Sequence, residues 1–371
     1  MTAALDVCGL SRRYPAAEVD ALTDLDLSVP TGGCVALLGP SGSGKTTALR
    51  LIAGLDTPDT GDIRVGGANV LALPPERRGL SMVSQRPTLF PHLSVLDNVA
   101  FAPRMSGASR RAARAAAAGY LDLVQLGGFA NRRPATLSGG QAQRVALARG
   151  LAAEPSVLLL DEPFSALDPS LRTDMHALLA EVRAVLEPTI VLVTHDQQEA
   201  ATLADSIAIV IAGNLLQHGD VAQLYSAPAS LQVFRFLGGR NEFPGVVEQG
   251  VHVSGLGLLQ LSRTTHVSDG PAVLVVRQEA VGVVEPNDDA ADTAGEVTCV
   301  AVRGPWSLVE VATPAGPLVA ELPTGRAPRP GQLTGVVLPL EARAVVPLRG
   351  ARDADRDGLT SSLAELGHGR G

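Results

Sequence analysis

Cys34-Val-Ala-Leu-Leu-Gly-Pro-Ser-Gly-Ser-Gly-Lys-Thr46 decides the reading of this chain. The apolar run Cys34–Leu38 has the length and composition of a strand buried on both faces, and the glycines after it turn the chain into a helix expected to begin near Gly44. Between strand and helix, Gly39, Pro40, Ser41, Gly42, Ser43 and Gly44 would bare backbone N–H groups to a phosphate chain. Lys45 would reach the β- and γ-phosphates of a nucleotide, and Thr46, followed by Thr47, could ligate Mg²⁺. Composition singles out the same place: of 30 basic residues, 29 are Arg and only Lys45 is Lys. Arg is a poor mimic of Lys where a compact, mobile point charge is needed, so the one position spared marks a chemical requirement.

Outward from this loop, Leu5 to Leu10 and Leu22 to Val29 alternate as strands. Val157–Leu160, Thr189–Val193 and Ile207–Ile211 are short apolar runs separated by helical patterns. Strands alternating with helices predict an α/β fold, a parallel sheet covered by helices. Ala and Arg dominate part of the stretch 87–154, which reads as an inserted α-helical subdomain, with Arg110, Arg111 and Arg114 on a solvated helix face. After Gly239 the pattern becomes short alternating runs, Val273–Val276, Leu308–Val311 and Leu318–Leu322, broken by Gly, Pro and Asp. That pattern predicts a small β-barrel or sandwich, with Asn287 to Gly295 as an exposed acidic loop. The expected layout is 1–239, 240–350 and a disordered tail over 351–371.

The 371 residues suit two or three domains, and an apolar content of 46% rules out wholesale disorder. The net charge of −8 excludes the basic excess of a nucleic-acid binder. Cys8, Cys34 and Cys299 have no paired spacing, so neither a disulfide framework nor a zinc site is indicated and a reducing, cytosolic compartment is expected. No basic start leads into an apolar run, and no stretch of about 18 apolar residues occurs, so neither secretion nor membrane spanning is expected.

Val157-Leu-Leu-Leu-Asp161-Glu162-Pro163 places two acids at the carboxyl end of a buried strand, where α/β sheets gather their ligand chemistry. Asp161 would belong to the Mg²⁺ shell, and Glu162 would polarise a water for in-line attack on a γ-phosphate; helix capping ahead of Pro163 is the plainer alternative. Ser138-Gly139-Gly140-Gln141 reads as a capping box. A Gly-rich helix start also bares N–H groups and a positive dipole end suited to an anion, and the two readings can hold together.

At this point the sequence resembles an ABC transporter ATPase subunit. Leu137-Ser-Gly-Gly-Gln141 matches the signature motif of that family, and Arg144-Val-Ala-Leu-Ala-Arg149 follows it as usual. Gln85 corresponds to the Q-loop, Ser165-Ala-Leu-Asp168 to the D-loop, His195 to the switch histidine and Tyr14 to the aromatic residue that stacks on adenine, although a packed strand residue is the alternative for Tyr14. The resemblance covers residues 3 to 240. It implies a P-loop NTPase (RecA-like) core, ATP and Mg²⁺ as cofactors, with Gln85 near the metal and Asp168 at the nucleotide, and a head-to-tail homodimer in which the signature of one subunit closes over ATP on the P-loop of the other.

The order ATPase then small β domain resembles importer subunits with a C-terminal OB-like (TOBE) regulatory domain, to which Gly239–Gly245 and Val275–Glu279 are similar. Importers of ferric iron, polyamines, sugars, sulfate, molybdate and thiamine share this layout. The resemblance implies two membrane-spanning permease subunits, indirectly an extracytoplasmic solute-binding protein, and a peripheral place on the cytoplasmic face of the plasma (inner) membrane. A non-transport member of the superfamily would carry a long coiled coil or a second ATPase unit. A GTPase would need a guanine-reading Lys, and the only Lys is already used. A small-molecule kinase would have no use for Leu137 to Gln141.

Overall fold

The computed structural model describes residues 3–15, 19–262 and 267–348; the tail 351–371 of the sequence reading lies outside them. Two compact units divide the chain, Met1–Val221 and Ala222–Gly371.

In the first unit, β1 (Ala3–Arg12), β2 (Leu22–Pro30), β3 (Cys34–Leu38), β4 (Thr60–Val65), β5 (Ala68–Asn69), β6 (Leu80–Val83), β7 (Val157–Asp161), β8 (Ile190–Thr194), β9 (Ser206–Ile211) and β10 (Asn214–Gly219) form one sheet in the order β5-β4-β1-β2-β10-β9-β3-β8-β7-β6. The stretch β9-β3-β8-β7-β6 is parallel, while β1 pairs antiparallel with β2 and β4. Every residue of β3, β7 and β8 is buried, as expected of central parallel strands covered on both faces. Each fully buried Leu, Ile or Val there contributes roughly 1.5–3 kcal/mol. β2 instead alternates buried and exposed residues, because only one face meets the core.

The helices are α1 (Lys45–Ala53), α2 (Val95–Val99), α3 (Phe101–Met105), α4 (Arg110–Leu123), α5 (Gly139–Leu151), α6 (Pro169–Leu186) and α7 (Gln197–Leu203). Those between residues 87 and 154 are α2 to α5. Ser94 and Ser109 cap α2 and α4 by accepting from Asp97 N and Ala112 N. Arg114 pairs with Asp97 at 2.6 Å, so the solvated face expected of this Ala-rich helix is tied down at one point.

Near the start of the second unit the helices Val221–Ser226 and Leu231–Phe236 precede the strands, and Leu231 and Phe234 pack on Val273, Val275 and Val346. This packing joins Leu231 and Phe234 to the strands of the unit that starts at Ala222. The strands after it form two five-stranded antiparallel sheets, one built on Asn241–Glu248 and Gly270–Val276, the other on Thr293–Arg303 and Trp306–Thr313. Phe243 and Leu274 of the first sheet share one core with Val297, Val309 and Val311 of the second. The expected acidic loop ends at Asp292, because a strand starts at Thr293. Asp292 itself ties the fold together, accepting from Leu338 N at 2.7 Å and pairing with Arg343 at 2.6 Å.

Candidate functional site

Parallel register gathers the site. Leu38 at the end of β3 pairs with Thr194 at the end of β8, and Asp161 at the end of β7 pairs with Val193. The Gly39–Thr46 loop, Asp161-Glu162 and His195 therefore leave the same edge of the sheet, where strand carboxyl ends open toward ligands.

The loop has room only for glycine at two points. A Cβ on Gly39 would lie 2.0 Å from Val210 O, and one on Gly44, whose φ is +100°, would lie 2.2 Å from Ala21 O. Gly44 is also the N-cap of α1 and has no side chain to spend on the helix's free N–H groups, so these remain available to an anion. The cavity beside this turn holds about 210 Å³ and is lined by Ala21, Ser41–Thr47 and Glu162. The loop's first two residues take another part: Gly39 O and Pro40 O each accept from Lys45 Nζ at 2.8 Å. Lys45 is 4% exposed, and burial pushes its pKa down against the opposing pull of Glu162 and Asp161.

Thr46 donates its hydroxyl to Asp161 Oδ1 at 3.0 Å. Burial pushes the Asp161 carboxyl up, with the Thr46 hydrogen bond opposing it. A hydroxyl and a carboxylate side by side are the hard oxygen pair that Mg²⁺ prefers, so these residues fit that ion. Glu162 occupies the left-handed region at φ 43°, held there as its N–H donates to Val193 O at 2.9 Å. Strain of this kind in a residue that is not glycine costs of order 1–3 kcal/mol and clusters at functional sites. Its carboxylate Oε2 lies 3.3 Å from His195 Nδ1, and the imidazole is half exposed.

Gln85 donates to Ser165 Oγ at 3.0 Å, and Ser165 Oγ donates to Glu162 O at 3.0 Å. Gln85 thus reaches the Glu162 loop through Ser165, a link across 80 residues that sequence spacing does not reveal. Asp168 caps α6 by accepting from Leu171 N at 3.0 Å.

Tyr14 and the Ser138–Gln141 turn are among the expected contributors that do not line the cavity. Tyr14 donates its hydroxyl to Asp56 at 2.8 Å beneath the Arg12 guanidinium and does not line the cavity. Ser138–Gln141 form the expected capping box on α5, with Gln141 N donating to Ser138 Oγ at 3.3 Å and Ser138 N donating to Gln141 Oε1 at 3.0 Å. Ser138 and Gly139 are exposed, and no residue of this turn lines the cavity beside the Gly39–Thr46 loop. Sequence reasoning missed Ser165 as a connector, and it missed the packing of Ala21 O against Gly44. It also missed the burial of Glu199, which reads as one more polar residue in a helix's first turn.

The family described as "ABC transporter" matches residues 22–165. The chain is 42% identical over 338 residues, 89% of this chain and 94% of the relative, to the Fe(3+) ions import ATP-binding protein FbpC 1 of Rhizobium meliloti. It is 48% identical over 238 residues, 64% of this chain and 67% of the relative, to the sulfate/thiosulfate import ATP-binding protein CysA of Mycobacterium bovis. Among solved structures, the ATP-binding cassette MJ0796, described as a dimeric post-hydrolysis state bound to ADP and Pi, is similar with a TM-score of 0.53 at 31% identity, covering 58% of this chain and 98% of that one.

Proposed function

The chain belongs to the ABC transporter family as an import-type ATP-binding subunit, and on that premise we propose how its residues hydrolyse ATP and what the hydrolysis drives. The observation that carries the reading is the Glu162–His195 contact at 3.3 Å beside a cavity whose wall includes Lys45 and Thr46.

In this reading the N–H groups of Gly42 to Thr47 take the phosphates, and Lys45 exchanges its carbonyl partners for β- and γ-phosphate oxygens. Thr46 and Asp161 would hold Mg²⁺, with Gln85 beside them. When bound, the ion would offset negative charge developing on the phosphate oxygens. Glu162 orients and polarises the attacking water, and His195 holds the γ-phosphate and keeps that water in line. Tyr14 turns from Asp56 to stack on adenine.

Ser138, Gly139, Gly140 and Gln141, which line nothing in their own chain's phosphate cavity, close over the nucleotide of a second copy, with Asp168 at the same interface. The subunit works as a head-to-tail homodimer, and ATP closure followed by hydrolytic opening drives two membrane permeases fed by an extracytoplasmic binding protein. The groove of about 520 Å³ lined by Thr88, Leu89, Phe90, Phe101 and Arg149 is the surface that would take a permease loop. No helix among the described residues is long and apolar enough to cross a membrane. In the proposed reading the spanning segments belong to those partners, and this chain lies at the cytoplasmic face.

The cargo is an inorganic ion, with ferric iron the first reading because the iron-import relative aligns over 94% of its length, the β unit included. Uptake of radiolabelled ferric iron and of sulfate by vesicles carrying the assembled transporter separates the two. The hydrolytic assignment is tested by Glu162→Gln, expected to bind ATP while kcat falls roughly 10²- to 10⁴-fold, about 3 to 5 kcal/mol in barrier. Near-normal turnover in that variant would overturn it.

A further inference from the structure

Behind the catalytic edge, α6 and α7 enclose two titratable groups that the hydrolytic reading leaves unused. His176 Nε2 lies 4.0 Å from Glu199 Oε2, too far for a hydrogen bond, and both His176 Nε2 and Glu199 Oε1 are buried without a partner. Glu199 is only 4% exposed. With the proton of a neutral His176 on Nδ1, an ionised Glu199 leaves two acceptors facing each other with no proton between them, an arrangement costly to bury. One proton resolves it: a protonated Glu199 can donate to His176 Nε2.

The pair touches both catalytic loops. The His176 ring meets Phe164 edge-on at 5.2 Å, and Phe164 stands two residues after Glu162. Thr194 hydrogen-bonds Glu199 and accepts from Asp196 N at 3.0 Å, so Glu199 braces the residues on both sides of His195. We propose that Glu199 and His176 share one proton and act as a positioning pair, holding the Glu162 and His195 loops in their hydrolytic arrangement. This rests on the roles given above to Glu162 and His195. Protons exchange with solvent through the cleft of about 500 Å³ between α6 and α7.

The charges around the pair are Arg172 on α6, Asp196 at the start of α7, and Glu162 after β7. Burial, reinforced by Asp196 and Glu162 and opposed by Thr194 and Arg172, pushes Glu199 up to about 7. Burial, ahead of the opposing Asp196 and the reinforcing Arg172, pushes His176 below its ordinary 6.5. The stability that Glu199 contributes is full below its ordinary value of 4.5 and is lost as pH rises through about 7. That of His176 is full above 6.5 and is lost as pH falls through its lowered value. The singly protonated pair therefore has its alkaline edge near pH 7.

The test is the pH profile of kcat for MgATP between pH 6 and 9 in the full chain, for the wild type, Glu199→Gln and His176→Arg. The wild type is expected to lose activity through an alkaline limb centred near pH 7, falling about threefold or more by pH 8.5. Glu199→Gln cannot ionise and donates an amide N–H to His176, so that limb disappears. His176→Arg supplies a fixed positive charge and permanent N–H donors that pair with the ionised Glu199, so the limb is lost there too. The same limb in all three proteins overturns the pair. If the wild type hydrolyses no MgATP at any pH, the hydrolytic reading fails instead, and histidine NMR of the wild type decides the pair alone. The His176 ring resonances are expected to step near pH 7 as Glu199 ionises, and a curve without that step overturns the proposal.

Discussion

The two glycine-rich turns of the first unit differ in what they have already satisfied. At Gly39–Thr46 the ammonium of Lys45 is buried on two carbonyls, and side chains are excluded at Gly39 and Gly44 by backbone 2.0 and 2.2 Å away. At Ser138–Gln141 the side chains only cap their own helix, Ser138 and Gly139 are exposed, and a Cβ on Gly139 would meet nothing within 4 Å. The first turn is a finished cradle, which in the proposed reading a phosphate chain enters by displacing internal contacts. The second has the same kind of N–H groups and no wall opposite them. Helix N-termini attract anions in both places, but only the first is enclosed, and the enclosure of the second has to come from another molecule.

The comparison can be broken from either side. Lys45→Arg keeps the charge but puts a larger, planar group where a compact ammonium fits, so kcat/KM for ATP is expected to fall on the order of 10²-fold, as when one preorganised group is displaced from a transition state. Steady-state kinetics at saturating Mg²⁺ check it, and unchanged turnover would remove the cradle's rationale. Gly44→Ala adds a clash with Ala21 O at a φ of +100°, and is expected to cost about 1–3 kcal/mol of stability, read as a drop in Tm, and to weaken nucleotide binding. Gly139→Ala, in open space, is expected to change Tm far less, a contrast that sharpens the distinction between an enclosed and an open turn. Ser138→Ala removes the cap at a cost of about 1 kcal/mol, with ATP affinity of the isolated subunit unchanged.

The enclosed turn was legible because everything that defines it is local: five apolar residues, spaced glycines and one Lys in 371 residues. The strand Cys34–Leu38 appears at the residues expected, and Asp161-Glu162 stand at the end of β7. β4, β6 and β10 went unread because they are only partly buried, so neither a continuous apolar run nor a clean alternation marks them. Tyr14 could be assigned to adenine only by resemblance, since its hydroxyl bond to Asp56 spans 42 residues and follows from no local pattern. The link from Gln85 through Ser165 to Glu162 depends on tertiary structure in the same way. Glu199 was missed for a related reason, because polar residues in a helix's first turn usually face water and nothing nearby in sequence announces α6 above it.

The central claim is that one chain holds half of each nucleotide site and that a second copy supplies the other half. The most direct measurement is the mass of Glu162→Gln in solution, by sedimentation velocity, with and without saturating MgATP. The account expects a monomer without nucleotide, a dimer with it, and loss of that dimer in Glu162→Gln/Ser138→Arg while ATP still binds. A Glu162→Gln chain that binds ATP stoichiometrically yet remains a monomer at every concentration tested would contradict it.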